Sequence, residues 1–154
     1  EKGTRVGEGS PTFSLDASRV KVAVIYASWH QTIIDGLIAG TKQALAETGC
    51  KQITFKATPG AFELPLAAKK LAEENDAVIA LGVVIRGDTP HFDYVCKAAT
   101  DGLLQVMLQT ETPIGFGLLT VDNEEQARLR SLPDGENKGV ESTYAALKMA
   151  LDFN

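Results

Sequence analysis

The chain has 154 residues, 44% apolar and 23% charged, with 15 Lys and Arg against 20 Asp and Glu for a formal net charge of -5. The apolar content excludes a disordered chain, the acidic balance argues against a protein whose main work is neutralising phosphate backbones, and 2 His with 2 Cys nearly exclude a Cys/His metal cage. The length specifies one domain that buries about 68–70% of the surface of its unfolded chain without a disulfide or metal staple, yet it leaves little room for a deep pocket, so an enzyme of this size is expected to take part of its site from another copy of the chain.

Residues 1–18 are polar and rich in Gly and Ser, and read as a flexible N-terminal arm before a domain over 19–154. The arm has no apolar run of the kind found in a secretory signal, and no stretch approaches the ~20 apolar residues of a membrane span. Cys50 and Cys96 are isolated and read as reduced, packed thiols of a cytoplasmic protein. Residues 20–27 (VKVAVIYA) form a nearly continuous β-branched run, as expected of a strand buried on both faces. Ile33, Ile34, Leu37, Ile38, Thr41 and Leu45 then recur at helical spacing, and Gly49 is a stop signal. Residues 52–57 alternate as a second strand, and Thr58-Pro59-Gly60 turns the chain. Residues 63–75 read as a helix with Pro65 in its first turn, and 76–85 (DAVIALGVVI) as the most apolar strand. After a connection over 86–90, residues 91–110 carry a long helical period through Phe92, Val95, Ala99, Leu103, Val106 and Met107. Residues 113–120 are a fourth strand. Asp122 with Glu125 three residues on is a capping-box pattern that opens a short helix through Arg130. A loop over 132–137 leads to a closing helix over 138–152, with Val140, Tyr144, Leu147 and Leu151 on one face.

This alternation specifies an α/β layer sandwich around a four-stranded parallel sheet. Right-handed crossovers put every loop that follows a strand on one edge, and ligands of such folds bind there. Ser28-Trp29-His30, residues 58–63, residues 86–91 and the segment after Thr120 are therefore expected on one rim. Trp29 is the one Trp in the chain; its indole suits stacking on a planar ring, or closes the end of the core. In Gly87-Asp88-Thr89-Pro90-His91 a strand ends, Thr89 is placed as N-cap and Pro90 as first helical residue, and the free N–H groups of the next turn suit an anion such as phosphate. The same residues also read as a plain helix cap. Neither a Walker loop nor a dinucleotide fingerprint is present. His91, beside that turn, is available for proton exchange near neutral pH, while His30 lacks this context and is the weaker candidate. Arg130 and Lys138 flank the last loop, and an Arg there can hold phosphate in bidentate fashion. The residues alone thus point to an α/β domain that binds a small phosphorylated compound and a planar ring, with one His for proton transfer.

Longer blocks carry more. Residues 59–65 (PGAFELP) and 80–95 (ALGVVIRGDTPHFDYV), with 27–30 (ASWH), 117–120 (GLLT), 123–127 (NEEQA) and 137–139 (NKG), closely resemble the lumazine synthase family, from about Val20 to Leu151. The resemblance implies a three-layer sandwich in flavodoxin-like strand order and the penultimate step of riboflavin biosynthesis. That step joins 5-amino-6-(D-ribitylamino)uracil to 3,4-dihydroxy-2-butanone 4-phosphate, with no metal or organic cofactor. It implies Trp29 stacked on the pyrimidine, Ala61, Phe62 and Glu63 along the ribityl chain, and Val83, Val84 and Ile85 offering backbone groups to the heterocycle. It implies Gly87, Asp88, Thr89 and Arg130 around the phosphate, His91 as proton donor and acceptor, Lys138 against the heterocycle, and Phe116 from a neighbouring subunit. Val121 and Asp88 depart from common family variants, and the Asp88 side chain is expected to face away from the phosphate. The family also implies a homopentamer, in some members twelve pentamers packed into a sixty-subunit shell, with riboflavin synthase as a further partner and no nucleic acid or membrane. Two alternatives stand beside the enzyme: a non-catalytic lumazine- or flavin-binding or storage protein on the same scaffold, and the archaeal type of enzyme that dismutates two lumazines. Loss of His91, Arg130 or Glu63 would mark the former, and all three are present.

Overall fold

A computed structural model describes residues 13–134 and 136–153. In chain order the elements are β1 (Lys21–Ala27), α1 (Gln31–Glu47), β2 (Gln52–Thr58), a 3-10 turn (Ala61–Glu63), α2 (Leu64–Ala72), β3 (Ala77–Ile85), α3 (His91–Thr110), β4 (Ile114–Val121), α4 (Glu124–Leu129) and α5 (Lys138–Asp152). The four strands form one sheet in the order β2-β1-β3-β4, with every pairing parallel. The expected three-layer α/β sandwich is therefore present.

Period-two alternation along the central strands feeds two cores. Val22, Val24, Ile79 and Leu81 point to one face, where they meet Ile34 and Leu37 of α1 and Ala146 and Leu147 of α5. Ala23, Ile25, Val78 and Ala80 point to the other, against Leu64 and Ala68 of α2 and Ala99 and Leu103 of α3. Burial on both faces is what makes β1 and β3 read as unbroken apolar runs. Among the described residues no helix is long and apolar enough to cross a membrane.

Three boundaries differ from expectation. The helix expected over 63–75 is a 3-10 turn followed by the shorter α2. Asp122 does not cap α4: Asn123 takes extended backbone and its Oδ1 accepts from Gln126 N–H at 2.9 Å. Asp122 is occupied elsewhere, accepting from Arg86 Nε at 2.9 Å, while its own N–H goes to Gln126 Oε1 at 2.7 Å. The arm expected over 1–18 lies outside the described residues as far as position 12. The rest runs against the domain, with Ala17 fully buried and its N–H bonded to Thr48 O at 2.7 Å.

Polar groups tie the closing helix to α1. Asn137 is 1% exposed and caps α5, accepting from Gly139 N–H at 2.8 Å and Val140 N–H at 3.2 Å. Its Nδ2 donates to Gly36 O at 3.1 Å and Leu132 O at 3.0 Å, so the whole amide is in use. Gly40 leaves room for this amide, since a Cβ there would stand 2.1 Å from Oδ1. Further along, Tyr144 Oη donates to Glu47 Oε1 at 2.6 Å. Burial, reinforced by this bond, pushes the Tyr144 phenol up to about 12, and the bond holds Glu47 below the usual carboxylate range.

A phenol raised on folding contributes stability that is complete below the unfolded value of about 10 and fades as pH climbs through the folded one. Tyr144→Phe is accordingly expected to cost about 1–2 kcal/mol at pH 8, with the gap to the parent closing between about pH 10 and 12. Urea unfolding of both proteins across that range checks it.

Candidate active site

Chain order reverses between β1 and β3: β1 leads outward to β2, and β3 leads the other way to β4. Loops leaving a sheet at such a point diverge and leave a crevice beyond the carboxyl ends of the strands. A cavity of about 620 Å³ lies there, walled by the segments that follow β1, β2 and β3.

The first wall follows β1. Ser28 is tied to the neighbouring turn by its N–H to Pro59 O at 3.3 Å and its Oγ to Thr58 O at 2.7 Å. Trp29 lines the cavity and is 68% exposed. A Cβ on Gly60 would stand 3.5 Å from the Trp29 ring, so the indole lies close over this stretch of backbone. His30 also lines the cavity. It begins α1, with Ile34 N–H bonded to its carbonyl at 3.0 Å, but holds left-handed backbone at φ 62, ψ 61. For a residue with a Cβ that conformation costs on the order of 1–2 kcal/mol.

The second wall follows β2. Thr58 Oγ1 donates to Gly60 O at 3.0 Å, and Glu63 Oε1 accepts from Gly60 N–H at 2.9 Å. This bond fixes the Glu63 carboxylate at the rim, with its second oxygen available to a hydroxyl. Ala61 is buried, whereas Phe62 is 64% exposed although apolar.

The floor is the end of β3. Its pairing with β1 stops at Tyr26↔Leu81, while its pairing with β4 continues to Ile85↔Val121. Past Leu81 the β1-facing backbone groups therefore have no strand partner, and Val83, Val84 and Ile85 line the cavity along this open edge. A flat polar ligand can complete the interrupted ladder.

The third wall follows β3. Arg86 N–H bonds Val121 O at 2.9 Å. Its guanidinium binds Asp122 at 2.9 Å, lies 3.7 Å from Asp93, and sits 4.5 Å from the centre of the Phe92 ring. The Asp122 hydrogen bond holds its pKa above the ordinary arginine value. Thr89 was expected to cap α3 with Pro90 inside it. Instead Pro90 is the cap, because its ψ of 2 is not yet helical, and α3 opens at His91. Thr89 Oγ1 accepts from His91 N–H at a long 3.4 Å. Gly87, Asp88 and Thr89 form an exposed turn beside the cavity wall carried by His91.

Eight of the expected site residues thus line one cavity: Trp29, Ala61, Phe62, Glu63, Val83, Val84, Ile85 and His91. Gly87, Asp88, Thr89, Phe116, Arg130 and Lys138 do not. Phe116 is 39% exposed and lines a separate apolar groove of about 210 Å³ with Leu103, Leu104 and Met107. Arg130 and Lys138 adjoin each other, Lys138 N–H donating to Arg130 O at 2.9 Å, beyond the end of β4. The Arg130 side chain bonds Gln126 O at 3.0 Å, and Lys138 Nζ bonds Glu141 at 3.1 Å. Beside His30, three lining residues have no assigned role, Gly60, Tyr94 and Val95. Tyr94 stands three residues after His91 on α3, which puts both on one face; that spacing was the available signal.

The family model for 6,7-dimethyl-8-ribityllumazine synthase matches residues 19–153. A protein of that name from Kocuria rhizophila is 55% identical over 150 residues, covering 94% of this chain and 96% of its own. The one from Kineococcus radiotolerans is 56% identical over 145 residues, covering 92% and 90%. That from Streptomyces coelicolor is 49% identical over 148 residues, covering 94% and 92%. With a model match across nearly the whole fold and relatives of this identity over nine-tenths or more of both chains, the chain belongs to the 6,7-dimethyl-8-ribityllumazine synthase family.

Proposed function

We propose that the cavity at the switch point is where this chain condenses 5-amino-6-(D-ribitylamino)uracil with 3,4-dihydroxy-2-butanone 4-phosphate. The observation that carries the reading is the open edge of β3 at Val83–Ile85, flanked by an exposed Trp29, the Glu63 carboxylate and His91. The pyrimidine lies on the open edge with Trp29 on its face, and its ribityl chain runs past Ala61 and Phe62 to Glu63. The turn 87–89 receives the phosphate of the second substrate next to His91.

The chemistry needs no nucleophile from the protein, because the attacking amine belongs to the pyrimidine. Its attack on the ketone and loss of water give an imine. Loss of inorganic phosphate follows, and the ribityl-bearing nitrogen then closes the ring with loss of a second water. His91 moves protons on the carbinol and enol oxygens, and the walls hold the two substrates in reacting geometry.

A second copy of the chain completes the site. Among the described residues no Lys or Arg lines the cavity, and Arg86 is committed to Asp122 and Asp93. Phe116 lies on β4, the edge strand of the sheet, and Arg130 and Lys138 end α4 and open α5, the two helices that follow that strand in the chain. From that edge they serve the cavity of a neighbour: Phe116 covers the aromatic rim, Lys138 meets the heterocycle and Arg130 neutralises the phosphate. A closed ring, the homopentamer, satisfies every such edge. The sixty-subunit shell and riboflavin synthase are further assemblies of the same reading. The reaction belongs in the cytoplasm, in keeping with the unpaired Cys50 and Cys96.

Mixing the protein with both substrates tests the reading. Lumazine absorbance and fluorescence are expected to rise faster than in the spontaneous condensation. Binding of lumazine without that acceleration would mean a storage protein.

A further inference from the structure

We infer that the His30 imidazole is a ligand of the pyrimidine substrate, holding it from the wall opposite His91; this rests on the condensation proposed above. His30 and Glu111 are the described non-glycine residues with positive φ, at 62 and 55. Glu111 follows the last turn of α3, where a left-handed residue is an ordinary way to end a helix. His30 has no such reason. Residues that open helices take extended backbone and cap it with an Ser, Thr, Asp or Asn side chain, whereas His30 is left-handed and its side chain caps nothing. Glycine or asparagine would adopt this backbone more readily, so the imidazole stands here against local preference, at a rim where strain accompanies function.

The chain has 2 His, and both line this one cavity. His30 opens α1, which packs on one face of the sheet, and His91 opens α3, which packs on the other. They flank the crevice from its two sides. His30 directly follows Trp29, while the phosphate turn belongs to the wall of His91. Its contact therefore falls on the ring-bearing substrate, through a ring nitrogen to a heterocycle carbonyl or a ribityl hydroxyl. No bond is made or broken at His30, so it sets affinity and specificity.

His30→Gly removes the imidazole and relieves the backbone; His30→Asn relieves the backbone and keeps a polar side chain. Thermal unfolding and steady-state kinetics with each substrate varied in turn read both. The glycine variant is expected to unfold about 2–4 °C higher and to show a roughly tenfold higher KM for the pyrimidine. Its KM for the phosphate substrate should move less than about twofold, and asparagine should recover part of the affinity. A pyrimidine KM unchanged in the glycine variant overturns the inference, and so does an equal rise in both KM values. Should the glycine variant fail to fold, the asparagine variant decides: the pyrimidine KM must rise selectively. Titration of the pyrimidine alone into parent and variant proteins reads His30 even where turnover is absent, so failure of the condensation and failure of this contact are told apart.

Discussion

His91→Ala is expected to lower kcat by about 10- to 100-fold, with both KM values within a few-fold of the parent. His91 is the first residue of α3 and lines the cavity next to the exposed turn 87–89. Its removal takes away the proposed proton transfer but leaves the open edge of β3, Trp29 and Glu63 in place. Loss is bounded because the nucleophile comes from the substrate and positioning still acts. Turnover above the spontaneous rate should therefore persist. Steady-state assays with each substrate varied separately check the split; a large rise in one KM with kcat unchanged would make His91 a binding group instead.

Asn137→Ala is expected to destabilise the fold by about 3–5 kcal/mol. The substitution strands Gly36 O, Leu132 O and the N–H groups of Gly139 and Val140, all satisfied now by one amide. It also opens a void beside Gly40, which carries no side chain to fill it. The thermal midpoint should fall by roughly 10 °C or more. Asn137→Asp keeps the cap acceptor but turns a buried carboxylate oxygen onto Gly36 O and Leu132 O, so it should not rescue the loss. Because Asn137 adjoins Lys138 and supports the loop from Arg130, the damage reaches the two cations assigned to the phosphate and the heterocycle.

The sequence made β1, β3 and the shared rim legible because doubly buried strands have a one-dimensional signature and parallel topology converts loop order into position. It also made Trp29, Glu63 and His91 legible as neighbours, since each follows a strand that ends on that rim. The N-cap of α4 was displaced by one residue because Asp122 and Asn123 are equivalent locally, and a tertiary partner, Arg86, decides between them. The open floor at Val83–Ile85 depends on where β1 stops pairing, which is register and has no sequence mark. The left-handed His30 is a backbone torsion with no compositional trace. Phe116 came from resemblance alone, Arg130 and Lys138 were legible only as cations flanking a loop, and within one chain all three stand apart from the cavity.

In the proposed assembly one chain carries the walls and floor while a neighbour supplies Arg130, Lys138 and Phe116. Subunit mixing tests it most directly: His91→Ala chains and Arg130→Ala chains are unfolded together, co-assembled and assayed against each protein reassembled alone. A shared site predicts activity well above the mean of the two, because some cavities then pair an intact His91 from one chain with an intact Arg130 from the next. Activity equal to that mean, in mixtures whose assemblies contain both chains, would contradict the account and return Arg130 to the cavity of its own chain.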